Sequence, residues 1–271
     1  MTTETKQLQP YEGEFAILGP EADEYLDILE ENTGSRKIEA GSLPVWKFPG
    51  SGNDEWVFED EAGTRHKEKS LIGVVLGQRV ERTFYMSDYG GGGDKPDCRS
   101  NDGVNGHTLT DETGQPINLM FAPNGTEIVY GGACETCPLN QWESAALVGK
   151  KGNGKACTEY RFGIIQRPDQ PTPEGFRLPP TALKAWTAFG EQVSRARTRL
   201  STLVIELRLQ LPKGASTAEL YVDAVSYIPK DTSEQLKAIA PAIRRQAQLA
   251  PVNAAQVSDE PPPIEGEAQP F

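Results

Sequence analysis

Thr202-Leu-Val-Ile-Glu-Leu-Arg-Leu-Gln-Leu211 alternates without a break. Leu203, Ile205, Leu207, Leu209 and Leu211 fall on one side of an extended chain, and Val204, Glu206, Arg208 and Gln210 on the other. A period of two with apolar residues on one side reads as a strand with one buried face. Pro212-Lys-Gly-Ala-Ser216 follows as a turn, and residues 220–228 resume a strand pattern. Together they predict an antiparallel hairpin.

Upstream, residues 179–200 read as a helix. Pro180 falls in its first turn, where a missing N–H costs nothing. Leu183, Trp186, Phe189 and Val193 recur at helical spacing, and Arg195 and Arg199 suit the negative end of the helix dipole. Shorter strand patterns cover 45–48 (VWKF), 56–58 (WVF), 71–86 and 158–167. In the far half of 71–86, Val80, Arg82 and Phe84 face one way and Arg79, Glu81, Thr83 and Tyr85 the other. The set predicts a mainly β chain with some helix (α+β), folded as a small barrel of five or six strands with a helix before the last pair. An oligonucleotide-binding (OB) fold is the leading arrangement, with other small barrels or sandwiches as alternatives. Residues 41–230 form this domain. An acidic segment over 1–40 precedes it, with a short helix at 21–31. A helix over 231–250, interrupted by Pro241, and a tail over 251–271 follow.

A long insertion, residues 87–157, shows little periodicity and contains Gly90–Gly93 and Gly131-Gly132. A stretch of this length needs something other than an apolar core to order it. It holds Cys98, Cys134 and Cys137, and it closes on Cys157. Cys134-Glu-Thr-Cys137 is a knuckle whose two thiolates suit one tetrahedral metal, with Cys98 and Cys157 completing four ligands. Soft thiolates favour zinc. The alternatives are free thiols, a redox pair, or His107 in place of one cysteine. The redox alternative lacks the βαβ frame such a motif uses. A four-thiolate site has no open position and would be structural. No HExxH, GxSxG or Walker-type loop is present, so an enzyme is not expected.

The net charge of −12 is unevenly spread. Residues 1–61 hold 15 acids and 4 bases, 62–230 hold 18 and 20, and 231–271 hold 6 and 3. A uniformly acidic chain would argue against nucleic acid; a mildly basic middle leaves that partner open. There is no run of 18 apolar residues and no basic-then-apolar leader, so a cytoplasmic protein with reduced thiols and no membrane partner is expected. The tail, Ser258-Asp-Glu-Pro-Pro-Pro-Ile-Glu-Gly-Glu-Ala-Gln-Pro-Phe271, offers too little apolar surface to offset the entropy of ordering, and disorder is expected there. It ends on Pro270-Phe271, an apolar ring beside a carboxylate, which suits a small basic and apolar pocket on a partner protein.

Lys95-Pro-Asp-Cys98-Arg-Ser-Asn-Asp-Gly-Val-Asn-Gly106, Cys134-Glu-Thr-Cys137-Pro-Leu-Asn-Gln-Trp142-Glu-Ser-Ala145 and Gly154-Lys-Ala-Cys157 together resemble a group of phage-encoded proteins associated with single-stranded-DNA binding. The helix opening Leu178-Pro-Pro-Thr-Ala-Leu-Lys184 and the strand at Thr202 are similar as well, so the likeness spans about residues 70–230. Independently, the acidic tail with its terminal aromatic resembles the ends of bacterial and phage single-stranded-DNA-binding proteins. The resemblance implies that Cys98, Cys134, Cys137 and Cys157 bind Zn2+. It also implies non-sequence-specific binding of single-stranded DNA in phage replication or recombination, in the host cytoplasm, with partner proteins recruited through Pro270 and Phe271.

Such binding uses rings that stack on bases and cations that track phosphates. The rings available are Trp46, Phe48, Trp56, Phe58, Tyr85, Tyr89 and Trp142, of which at least half are expected in the core. Tyr85, Tyr89 and Trp142 are the ones expected at DNA, with Arg79, Arg82, Lys150, Lys151, Lys155 and Arg161 as the cations. The alternative is a zinc-stapled protein-interaction module that binds no DNA.

Overall fold

The computed structural model describes residues 8–13, 15, 44–60, 63–86, 95–150, 152–170, 172–236 and 240–241. The expected acidic helix at 21–31, Tyr89, Lys151 and the tail with Pro270 and Phe271 lie outside them. In chain order the strands are β1 (Gln9–Pro10), β2 (Val45–Lys47), β3 (Trp56–Glu59), β4 (Arg65–Glu68), β5 (Ser70–Phe84), β6 (Cys98–Ser100), β7 (Asn105–Thr108), β8 (Leu119–Phe121), β9 (Glu127–Val129), β10 (Gly132–Ala133), β11 (Thr158–Gln166), β12 (Glu174–Leu178), β13 (Leu203–Gln210) and β14 (Glu219–Tyr227). There are helices α1 (Ser144–Leu147) and α2 (Pro180–Arg195), with a 3-10 turn before α1 at Pro138–Asn140 and another after α2 at Leu200–Thr202. The chain is thus mainly β with some α. No helix among the described residues is long and apolar enough to cross a membrane.

The chain divides into two compact units. Among the described residues, those from Leu8 to Gln78 and from Gly163 to Pro241 build the larger, and those from Arg79 to Phe162 the smaller. In the larger unit the strands run in the order β1-β14-β13-β5-β11-β12-β2-β3-β4. The expected hairpin is β13–β14, antiparallel with Leu207 opposite Val222 and an irregularity between Val204 and Ile205. β13 also pairs with β5, Leu207 opposite Leu71. Two pairings are parallel: β12–β2, with Phe176 opposite Trp46, and β1–β14, with Gln9 opposite Ser226. No ladder among the described residues closes this path into a barrel, because the second edge of β12 is taken by β2.

One face of α2 supplies Ala182, Trp186, Phe189 and Val193 to a core with Phe176, Leu178, Leu203, Ile205, Leu207 and Leu209. Trp46 and Trp56 belong to the same core and are 3% and 0% exposed. Each buried indole N–H has an acceptor, as burial requires. Trp46 Nε1 donates to Glu174 Oε2 at 2.9 Å, Trp56 Nε1 to the Leu207 carbonyl at 2.9 Å, and Trp186 Nε1 to Gln78 Oε1 at 2.8 Å. Phe48 and Phe58 pack half-buried against this core. Gly163 is required by packing, since a Cβ there would fall inside the Phe176 ring. Residues 230–236 and 240–241 are helical, so the helical conformation reaches Pro241.

The smaller unit pairs the second half of β5 with β6 (Phe84 opposite Cys98), β6 with β7 (Cys98 opposite Thr108) and β7 with β10 (Gly106 opposite Gly132). β8 and β9 form a separate hairpin, with Met120 opposite Ile128. The expectation that this region lacks an apolar core is corrected here. Phe84, Met120, Ala122, Ile128, Tyr130, Leu139 and Ala156 cluster with Cys98. These residues come singly from short segments, so no window of sequence shows their periodicity.

Candidate metal centre and binding surface

Three separate segments bring the cysteines together. Cys98 opens β6, Cys134 follows β10, Cys137 precedes the 3-10 turn, and Cys157 precedes β11. All four line one small cavity, together with Arg82 and Asn140. Cys98 Sγ sits against Gly106, where an added Cβ would lie 2.9 Å from the sulfur, so only glycine leaves it room.

The polar residues of the cysteine motifs hold the backbone in this arrangement. Asp102 accepts from the Val104 and Asn105 amides at 2.7 and 2.8 Å and from Ser100 Oγ at 3.0 Å, closing the turn between β6 and β7. Burial pulls its carboxyl upward, but the Asn105 and Val104 amides and Ser100 outweigh this and lower it to about 2. Asn140 donates Nδ2 to the Cys134 carbonyl at 2.7 Å, and its Oδ1 accepts from Lys155 Nζ at 3.3 Å. Ser144 Oγ donates to the Leu139 carbonyl and accepts from the Ala156 amide, both at 2.8 Å. The Cys157 amide donates to the Leu139 carbonyl at 2.9 Å. Knuckle and return strand are thus fastened through Leu139, Asn140 and Ser144. These residues stand within the cysteine motifs of the sequence, but their types alone gave them no task there.

None of the cysteines is in a disulfide. Burial, then the charges of Cys137 and Cys134, push the Cys98 thiol up to about 12. Burial, then Cys98, Cys134 and Cys137, do the same at Cys157, with Arg82 opposing. Sulfurs that feel one another's charge in one cavity are the donor set a soft dication takes. Among the described residues no group of three or more His, Cys, Asp or Glu side chains is placed to hold a metal ion. Four thiols lining one cavity are nonetheless the donor chemistry that suits zinc. His107, the alternative ligand, is exposed and does not line the cavity.

The expected DNA-contacting residues separate into three groups. Trp142 is 71% exposed, in contrast to the other three tryptophans. Its neighbour Glu143 donates its amide to the Asn153 carbonyl at 3.1 Å, and Ala145 donates to that of Gly154 at 3.0 Å, so Trp142 is anchored to the loop that carries Lys155. Lys155 is exposed. Arg82 and Arg161 are half-buried and share Glu159. Tyr85 is half-buried, and Lys150 Nζ sits 5.4 Å from the centre of the Phe84 ring. Arg79 requires correction: the face expected to meet solvent is inside. Arg79, Glu81 and Thr83 are 6%, 0% and 1% exposed. Arg79 Nη2 donates to Glu81 Oε1 at 2.7 Å, and its guanidinium lies over the Phe162 ring at 4.8 Å. A buried pair of this kind leaves an uncompensated charge if either partner is withdrawn, so Arg79 serves the fold.

Comparison with protein-family models, curated proteins and solved structures finds no match for the chain.

Proposed function

We propose that the protein binds single-stranded DNA without sequence specificity, with zinc on Cys98, Cys134, Cys137 and Cys157 as a structural staple. One observation carries the reading. Of four tryptophans, three are buried with their N–H groups satisfied, and Trp142 alone is exposed, on the cysteine knuckle. An exposed indole is costly to leave in water and is an effective platform for a base.

The strand order supports the same reading. β12-β11-β5-β13-β14 are successive neighbours, with α2 between β12 and β13 in the chain. This suits an OB-type Greek key, in which the connection between the first two strands is one of those reaching oligonucleotides. The corresponding connection, from β5 to β11, carries both the cysteines and Trp142.

Residues 79–162 carry eight Lys and Arg against eleven Asp and Glu. Affinity therefore rests on stacking by Trp142 and on local phosphate contacts from Lys155, Arg82 and Arg161 more than on long-range attraction. The zinc performs no chemistry; it fixes the segment that presents Trp142. Pro270 and Phe271 would recruit replication or recombination proteins in the host cytoplasm. Intrinsic tryptophan fluorescence tests the reading: oligo-dT should quench part of it in the wild type and none of it in W142F. A wild type left unquenched contradicts it.

A second reading, a zinc-stapled module that docks protein, is favoured by the outer face of β8–β9. Leu119 and Val129 stand opposite each other there. They are 44% and 55% exposed, beside Phe121 at 65%. Apolar groups gathered in this way on a surface mark contact sites. Absence of any DNA binding would leave this reading in place.

A further inference from the structure

We propose that Arg82 and Arg161 form an anion seat that Glu159 fills until a phosphodiester of single-stranded DNA displaces it. The inference rests on the DNA-binding reading and identifies the group that regulates it. Glu159 and Arg161 are two residues apart on β11 and so share a face. The two Glu159 oxygens meet different guanidiniums: Oε2 lies 2.9 Å from Arg82 Nη2, and Oε1 lies 3.6 Å from Arg161 Nη2. One carboxylate thus answers two positive charges.

Donors also exceed acceptors. Each guanidinium has five N–H groups, and Nε of both Arg82 and Arg161 is buried with no acceptor. Buried donors are nearly always paired, so two orphans at one carboxylate mark a place with capacity for further oxygens. A phosphodiester brings anionic oxygens in the geometry that guanidinium forks match.

Arg82 is the fixed member. Its Nη1 donates to the Gly103 carbonyl, and its side chain is 15% exposed. Glu159 and Arg161 are more open, at 28% and 29%. Glu159 is therefore the group free to leave. It holds the two guanidiniums in place in the absence of DNA, and its departure is subtracted from the affinity.

The test uses the full chain, labelled oligo-dT and a range of KCl concentrations. Glu159→Gln keeps the length and one acceptor for Arg82 but removes the competing charge. It should bind several-fold more tightly than wild type with an unchanged slope of log affinity against log salt, because the same phosphodiester occupies the seat in both. Arg161→Gln should bind more weakly, with a slope shallower by about 0.7. Wild-type affinity in a folded E159Q would overturn the seat while leaving DNA binding intact. If E159Q does not fold, an R161Q protein with unchanged affinity and slope overturns it equally. Failure of wild type and both variants to bind oligo-dT overturns the single-strand reading itself, and the seat's ligand with it. Inorganic phosphate raising the melting temperature of E159Q more than that of wild type, without oligo-dT binding by either, would assign the seat to free phosphate and overturn the proposal.

Discussion

Asn140 donates its side-chain amide to the carbonyl of Cys134 at 2.7 Å, across the knuckle from Cys137. Both residues are buried. The bond holds the peptide that follows the first knuckle cysteine. Asn140→Ala leaves that carbonyl without this donor and should cost about 1–3 kcal/mol. It should also speed zinc release to a chromophoric chelator, since residues that orient ligands typically change metal affinity by about 10–100-fold. Urea unfolding and chelator kinetics measure the two effects; a variant with wild-type values in both would remove Asn140 from the account.

Trp142 and Trp56 are expected to give opposite phenotypes. Trp142→Ala should weaken oligo-dT binding by about 1–3 kcal/mol, the worth of one stacked base, with little change in melting temperature. Trp56 is fully buried and bonded to Leu207, and Trp56→Ala should cost about 3–5 kcal/mol of stability. Anisotropy and thermal melting separate the two.

Zinc loading should release protons. The Cys98 and Cys157 thiols stand at about 12 without metal, so they are protonated at neutral pH and must ionise to become ligands. Raised values mean that the proton is favoured over a wide range, so zinc affinity should climb with pH. Titration calorimetry in buffers of different ionisation enthalpy should show at least the protons of these two residues released per zinc. Binding without proton release would place the metal elsewhere.

Glu174 makes stability depend on pH in a defined direction. Burial raises its carboxyl above the usual value, against the lowering effects of the Trp46 N–H and Arg167. The folded state therefore binds this proton more tightly than the unfolded chain does. Its contribution is complete below the unfolded value and is lost as pH rises through the folded one. Glu174→Gln retains an acceptor for Trp46 but does not titrate. Urea midpoints taken from about pH 4 to about pH 7, across and above the carboxylate range, should shift progressively in favour of the variant. A constant difference would mean that the carboxyl is not held neutral by burial.

The segments legible in the sequence are those whose pattern is long and one-sided. α2 and the β13–β14 hairpin follow from unbroken periodicity, and β5 and β11 lie close to their expected limits. β12 and β4 were not legible for opposite reasons. β12 is buried at four of its five positions and shows no alternation, whereas β4 is a charged and largely exposed strand at the end of the path. Convergence of the cysteines was legible from the knuckle and two single residues. The inward turn of Arg79 was not, because alternation puts Arg79 and Glu81 on one face without saying which face is buried, and a face carrying two charges reads as solvent-facing. The separation of Trp142 from Trp46 and Trp56 also required the structure, since composition does not distinguish a core indole from an exposed one.

Fluorescence anisotropy of labelled oligo-dT and of the matching duplex, with wild-type zinc-loaded protein at two salt concentrations, tests the central claim most directly. The account predicts tight binding of the single strand that weakens as salt rises, and little binding of the duplex. Equal binding of both forms, or no binding of either, would contradict it.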